Sequence, residues 1–493
     1  MAREQQDEPA ASPVRDMDAD AFRRYGYQVV DWIADYLAHS ERYPVLSRVA
    51  PGAIKAQLPA HPPADPEPMA QILDDFERMI IPGITHWNHP AFFAYFAITG
   101  SAPGILGELL TAALNVNGML WKTSPAATEL EEQTLDWLRQ MLGLPADFRG
   151  VIMDTASMAG LVALAAAREA LGLNIRRDGL AGRGELPRLR MYTSEQAHSS
   201  IEKGALTLGI GQENVRKIPT DGAFRMEPEI LSRAIRDDIA AGWRPFCVVA
   251  TVGTTSTTSI DPVPAIAGIC HKYGLWLHVD GAYGGMAAIV PEMRDVLAGC
   301  EHADSIVVNP HKWLFTPIDC SAFYVRDPDT LKRAFSLVPD YLKTGEDDVT
   351  NYMDWGVQLG RRFRALKLWM VIRYFGHRGL AAHIRNHVAL GHEFAAWVDE
   401  SPTFERLAPT PFSTVCFRAH PQGIDDEDTL NRLNARLLEA VNAGGEAFLS
   451  PTTLNGRYTL RLAVGNIRTE QKHVARAWEI LQTELERVCM QLN

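Results

Sequence analysis

Hydrophobic and polar positions along this chain follow two periods, one helical and one of strands. Near the start, Phe22, Tyr25, Val29, Ile33 and Tyr36 recur at helical spacing, which predicts an amphipathic helix from Asp18 to about Ala38. A proline-rich connection from Pro51 to Pro68 leads to a short predicted helix around Met69–Met79, then to an aromatic stretch with Trp87, Phe92, Phe93, Tyr95 and Phe96. Helical patterns follow over Pro103–Asn115 and Ala126–Leu142, the second stopping at Gly143 and Pro145. Short apolar runs then read as strands: Gly150–Ile152, Leu189–Thr193, Phe246–Thr251, Trp276–Val279, Ser305–Val308 and Ala322–Val325. Between them the pattern gives helices over Gly160–Leu171, Ile201–Leu208, Pro228–Ala241, Val263–Tyr273 and Pro291–Leu297. Such alternation predicts an α/β domain with a mainly parallel sheet, helices on both faces and a ligand at the carboxyl ends of the strands. Helices over Gly360–Tyr374 and Leu380–Glu400 precede an α+β tail, with strands Thr414–Arg418 and Tyr458–Ala463 and helices Asp428–Ala443 and Thr469–Gln491.

Composition narrows the class of protein. A chain of 493 residues is too long for one simple core and suggests a large domain with smaller flanking ones. The formal net charge of −12 argues against nucleic acid and against an anionic membrane surface as partners. No apolar run is long enough to span a bilayer, and the polar start lacks the apolar core of a secretory signal. The six cysteines are scattered with no CxxC pair, as buried thiols in a reducing compartment are. A cytoplasmic protein is the expectation. The histidines lack a metal-ligand spacing such as HExxH, so no metal is expected.

Four features near strand ends carry candidate chemistry. In LWLHVDGAYGG, Asp280 ends a buried apolar strand, where a carboxylate is costly unless a cation meets it. The protonated nitrogen of a pyridine ring is one such cation; a helix cap or a metal ligand is the plainer alternative. In SIVVNPHKWLF, Lys312 follows another apolar strand, and desolvation there lowers an amine pKa as imine formation requires. It could equally be an ordinary loop lysine. His198, in SEQAHSS, could stack on a flat ring or simply cap a helix. In DTASMAGLVALAAARE, Thr155, Ala156 and Ser157 bring hydroxyls and N–H groups to a helix start, which suits an anion or a plain N-cap. Taken together, an amine, a strand-end acid, a stacking imidazole and a phosphate-binding helix start are the parts of a pyridoxal-phosphate (PLP) site.

The strings NPHKW, HVDGAYGG, QAHSS and THWNHPAFFAYF closely resemble the group II PLP-dependent decarboxylases, and among them the aromatic-L-amino-acid decarboxylases. The resemblance runs from about residue 20 to the C-terminus. It implies the aspartate-aminotransferase-like fold type I, with a seven-stranded, mainly parallel sheet in the large domain and a small α+β C-terminal domain. The domains would be an N-terminal helical dimerisation segment over 1–95, a PLP-binding domain over 96–375 and a small domain over 376–493. It also implies a homodimer with shared active sites, a small amino-acid substrate and a carboxy-lyase activity. Carried over by motif, Lys312 is the Schiff-base lysine, Asp280 pairs with the pyridine nitrogen, Ala282 packs on the ring and His198 covers its other face. Thr155, Ala156, Ser157, Asn309 and His311 line the phosphate end, and Thr255 matches a cofactor-contacting threonine. Tyr341, in VPDYLKTG, matches the loop tyrosine that gives a proton to the substrate carbon.

The same resemblance frames the substrate. In the family, phenylalanine at the position of Tyr341 or asparagine at that of His198 accompanies aldehyde-forming variants, and this chain carries the amine-forming pair. Trp87, Tyr95 and Phe96 match an aromatic pocket wall. Ile98 stands where dopa-cleaving relatives have a hydroxyl, while Asn117 and Met119 stand where residues reach across from the partner chain. Gly360 matches relatives that act on indolic substrates, and Met353 replaces a family arginine. The stretch Trp87–Gly100 has no Lys or Arg, which argues against an acidic substrate. The expectation is decarboxylation of Trp, Phe, Tyr or a hydroxylated derivative, with another amino acid, an aldehyde product or a non-catalytic binding protein as alternatives.

Overall fold

The computed structural model describes residues 16–337 and 349–492. They fall into two compact units, Met1–His86 and Trp87–Asn493. In the first unit the amphipathic pattern forms the helix Ala19–Ala38, started by Asp18, whose carboxylate accepts from the N–H groups of Asp20 and Ala21. The predicted helix around Met69–Met79 is two pieces, an α-helix Met69–Asp75 and a π-turn Phe76–Ile80.

The second unit holds both sheets. The larger has seven strands: β1 (Arg149–Met153), β2 (Arg188–Ser194), β3 (Val215–Ile218), β4 (Trp243–Thr251), β5 (Trp276–Asp280), β6 (Ser305–Val308) and β7 (Ser321–Val325). Their order is β1-β7-β6-β5-β4-β2-β3. The pairs β2–β3, β2–β4, β4–β5 and β5–β6 are parallel, whereas β7 runs antiparallel to both β1 and β6. Consecutive residues Val248, Val249 and Ala250 are all fully buried, as a sheet covered on both faces requires. Short runs of β-branched residues with no polar face are therefore the right sequence for β4 and β6.

The smaller sheet is antiparallel, in the order β10-β11-β9-β8: β8 (Phe404–Arg406), β9 (Thr414–Ala419), β10 (Ser450–Leu454) and β11 (Arg457–Ala463). The sequence pattern missed β3, β8 and β10. It also placed a helix over Gly360–Tyr374, but the observed one is Ala365–Glu400, interrupted at Gly376 (φ 63°, ψ 167°) near the predicted gap. The helix expected over Gly160–Leu171 begins earlier, at Ala156, because Thr155 caps it. Pro291–Leu297 is a 3-10 helix. No helix among the described residues is long and apolar enough to cross a membrane.

Two local arrangements position the site. The aromatic stretch after Trp87 runs along the small sheet: Phe93 N–H donates to Phe448 O, and Ala463 N–H donates to Phe93 O, both at 2.9 Å. The loops after β4 and β5 meet through glycines. A Cβ on Gly253 (φ +90°) would lie 2.7 Å from Gly284 N, and one on Gly284 would lie 2.7 Å from Val252 O. Only glycine fits both places, which explains the GAYGG run.

Candidate active site

The carboxyl ends of β5 and β6 and the loops after β1, β2 and β4 carry the residues singled out from sequence. Asp280 is the last residue of β5 and is buried. One carboxylate oxygen accepts from Ala282 N–H at 3.1 Å. Among the described residues no Lys, Arg or His comes within ion-pair distance of it. A buried carboxylate left in that state is a receptor for a cation. Lys312 lies in the short helix Pro310–Trp313 that follows β6. Burial lowers its pKa, and the charge of Asp280 acts in the opposite sense. Its Nζ sits 5.3 Å from the centre of the Phe96 ring.

His198 caps the helix Ser199–Thr207, with Nδ1 accepting from Ser200 N–H at 3.2 Å. The imidazole is open to the cleft, yet the surrounding walls withdraw enough water to lower its pKa. Asp280 opposes that shift, and Lys312 and Lys203 add to it. Asp280, Lys312 and His198 are thus brought close enough for their charges to act on one another. Of the two alternatives left open for His198, stacking on a ring and capping a helix, the structure shows the cap.

The phosphate candidates divide. Thr155 is the N-cap of Ala156–Glu169, its hydroxyl accepting from Met158 N–H at 3.4 Å. That leaves the N–H groups of Ala156 and Ser157 without an acceptor inside the helix, free for an anion. His311 is buried, and its Nδ1 accepts from Cys320 N–H at 3.1 Å. Burial, helped by the charge of Lys312, pushes its pKa down to about 4. The ring is therefore neutral with its proton on Nε2, which lies 3.4 Å from the Asn309 amide. The Asn309 atom at that distance is Nδ2, itself a donor, while Oδ1 is buried without a partner among the described residues; turning the amide end for end would let Oδ1 take the proton and leave the NH2 to donate elsewhere. Ala282 is buried beside Asp280, and its carbonyl accepts from Asn309 N–H at 3.2 Å. Thr255 is exposed, whereas its neighbour Thr254 is buried and bonded to Thr257. A neutralisable amine, an unpaired acid and a donor-rich helix start fit PLP.

The candidate pocket residues include the outer member of a column of rings. Phe96 stacks on Tyr283 at 3.8 Å, and Tyr283 stacks on Trp313 at 4.7 Å. Trp87 lies flat against Phe92 at 4.3 Å and against Tyr95 at 5.9 Å, while Ile98 is half-buried. Asn117 and Gly360 are exposed neighbours: Asn117 Oδ1 accepts from Arg361 N–H at 2.9 Å, and its Nδ2 is 3.5 Å from Met119 Sδ. Met353 is buried against Leu120 and Met119, an apolar contact in place of the family's arginine. Tyr341 lies outside the described residues. Among the described residues no group of three His, Cys, Asp or Glu is arranged for a metal.

Two contributors escaped the sequence reading. Tyr283 is the middle ring of the column, and burial pushes its phenol up to about 12, so it stays neutral. Arg461 on β11 is buried, its Cζ 5.3 Å from the Phe96 ring centre. Its Nε donates to Ser256 O at 2.7 Å and Nη1 to Ser450 Oγ at 3.0 Å, while Nη2 has no partner among the described residues. The signal that could have found it is a charge inside the apolar run Leu460–Val464, the same signal that marked Asp280.

Comparison with known proteins shows the family. The family model "Pyridoxal-dependent decarboxylase conserved domain" matches residues 51–420. Phenylacetaldehyde synthase of Arabidopsis thaliana is 44% identical over 482 residues, covering 96% of this chain and 97% of that one. Tyrosine decarboxylase 2 of the same plant is 45% identical over 485 residues, covering 95% of this chain and 88% of that one. The crystal structure of Oryza sativa TDC with PLP and tryptamine superposes with a TM-score of 0.92 at 40% identity, covering 96% and 99% of the two chains.

Proposed function

Since this chain belongs to the pyridoxal-dependent decarboxylase family and is a fold type I, PLP-dependent amino-acid decarboxylase, we propose that it converts aromatic L-amino acids to the amine and CO2, with Lys312, Asp280, His198 and Tyr341 as its working residues. The observation that carries the site assignment is the buried, unpaired carboxylate of Asp280 facing the lowered-pKa amine of Lys312. PLP, when bound, supplies a ring that accepts the electron pair left behind as CO2 departs.

The chain's own residues do the rest. Lys312 holds the cofactor through its amine, which burial keeps available as a nucleophile. Asp280 would balance a proton on the ring nitrogen and so keep the ring electron-poor. The free N–H groups of Ala156 and Ser157, with the Asn309 amide beside the neutral His311, take the phosphate. Ala282 and His198 would cover the two faces of the ring. Thr255 is kept as a cofactor neighbour on the family match alone. Phe96, Trp87 and Tyr95 offer flat apolar walls to an aromatic side chain. Arg461, whose buried Nη2 has no partner among the described residues, would meet the substrate carboxylate before it leaves. Tyr341 would deliver the proton to the substrate carbon, and with His198 present the amine is favoured over the aldehyde.

A second copy of the chain completes this reading. The helix Ala102–Leu114 exposes Leu106, Leu109, Leu110 and Leu114 along one face, and no residue of the helix Ala19–Ala38 is buried. Apolar faces of that kind call for a partner, and the family's homodimer is the one proposed. Six free cysteines suit a reducing compartment such as the cytoplasm. The test is to incubate the PLP-loaded protein with each of the twenty amino acids and measure CO2, amine, aldehyde and hydrogen peroxide. Amine from Trp, Tyr or Phe is the expected result. CO2 from none of them, or aldehyde with peroxide as the main product, overturns the reading.

A further inference from the structure

His198 is a helix cap as well as a candidate cleft wall, and the cap dictates where its proton sits. The backbone N–H of Ser200 can only donate, so the Nδ1 that receives it at 3.2 Å must present a lone pair. Ser200 Oγ lies 2.8 Å from the same nitrogen and can donate to it once Nδ1 presents that lone pair. Ser200 is buried, so water cannot readily replace either contact. In a neutral imidazole the proton then belongs to Nε2. A further proton on Nδ1 would face an N–H and uncap the helix Ser199–Thr207.

We propose that Ser200 is a positioning residue that locks His198 as the neutral Nε2–H tautomer, so that the imidazole acts in the cleft as a hydrogen-bond donor and not as a general acid. The inference rests on the reading of His198 as the ring-covering residue, and it assigns the proton that reaches the substrate carbon to another group. Charges around the ring act consistently. Burial lowers its proton affinity, Asp280 at the end of β5 opposes this, and Lys312 after β6 and Lys203 on the same helix reinforce it. His311 is held the same way, its Nδ1 accepting from Cys320 N–H at 3.1 Å. Both site histidines are thus fixed as one tautomer by main-chain donors.

The experiment reads the tautomer directly. Holoenzyme with 15N-labelled histidine is compared with the His198→Gln variant to assign the His198 signals. The expected spectrum has a protonated Nε2 and a bare Nδ1 from about pH 6 to about pH 8. Ser200→Pro deletes the N–H, and proline is tolerated at this second helical position, as Pro103 and Pro264 show in their own helices. That variant should lose the tautomer preference. It should also lower kcat by roughly tenfold, change KM by less than about threefold, and move the acid limb of kcat to higher pH, because a freed Nδ1 takes a proton more readily. Ser200→Ala keeps the N–H and should keep the wild-type tautomer, with a smaller loss of kcat than Ser200→Pro. A wild-type ring protonated on Nδ1 overturns the proposal, as does a Ser200→Pro protein with unchanged spectrum and pH limb. If Ser200→Pro does not fold, the wild-type and Ser200→Ala spectra decide. Failure of the proposed function would look different: no amine from any aromatic amino acid, with the tautomer intact.

Discussion

The floor of the cleft and its rim hold their side chains by different means. On the floor, Asp280, Asn309 and His311 are buried at strand ends, and each has a main-chain contact that fixes it: Asp280 to Ala282 N–H, Asn309 N–H to Ala282 O, His311 to Cys320 N–H. On the rim, Tyr95, Asn117 and Gly360 are exposed; Asn117 is tied to the Arg361 N–H, and its Nδ2 reaches only the Met119 sulfur. A packed sheet cannot move without opening voids, so the floor arrives preorganised. The rim has no such constraint within one chain. On the proposed function, the floor would carry the reaction, and the choice of substrate would fall to residues that this chain alone leaves exposed.

The sharpest way to break this contrast is at Lys312. If the floor carries the reaction, Lys312→Ala should lower CO2 release by roughly 10³-fold or more and abolish the absorbance of the protein-bound imine. Mass spectrometry of borohydride-reduced wild-type protein should find the pyridoxyl group on Lys312. Persistence of that band in the variant, or an adduct on another lysine, would remove Lys312 from the mechanism.

Asp280→Asn comes next. The amide keeps the shape and can still accept from Ala282 N–H, but it cannot balance a proton on the ring. A fall in kcat of roughly 10²-fold, with the imine band retained, is expected. Retention of full activity would mean that the ring proton is held by some other group. His278, two residues earlier on β5, has its own proton affinity pushed down to about 4 by burial and could not take over the task.

The third test sits between floor and rim. Arg461 is buried like a floor residue, yet its free Nη2 is proposed to meet a group on the substrate. A contact with the carboxylate exists before CO2 leaves and is lost as it leaves. It therefore supports binding more than the chemical step. Arg461→Lys should raise KM about tenfold and leave kcat within about threefold. Equal losses in both constants would instead make Arg461 a structural tie to Ser256 and Ser450.

How legible all this was in the sequence follows the same division. Asp280 and Lys312 stood out because each interrupts or follows a run of apolar residues, and burial of both sheet faces is what produces such runs. β4, β5, β6 and β7 were found for that reason. β3 (VRKI), β8 (FER) and β10 (SPTTL) were missed because edge or short strands keep polar residues and carry little apolar signal. Arg461 carried the same signature as Asp280 but lay in a tail with no motif around it. The neutral state of His311 could not be read at all, since it depends on Cys320 N–H, nine residues on and across a turn. Tyr341 rests on family resemblance alone.

The smallest predicted effect tests the rim itself. Gly360 matches relatives that act on indolic substrates. Within this chain a Cβ there would meet only Asn117 Nδ2, at an ordinary contact distance of 3.7 Å. Gly360→Ser should therefore fold normally and leave kcat for tyrosine unchanged. Any discrimination must come from the substrate, or a second chain, occupying the space beside it. One added hydroxymethyl group in an adaptable wall of Asn117 and Met119 should lower kcat/KM for tryptophan relative to tyrosine by about threefold to tenfold. A change above roughly 100-fold would show that the rim is as tightly packed in the working enzyme as the floor, and the contrast between them would then describe the single chain only. No change for either substrate would shift the burden of selectivity to Phe96, Trp87 and Tyr95, the part of the wall that the small sheet already holds in place.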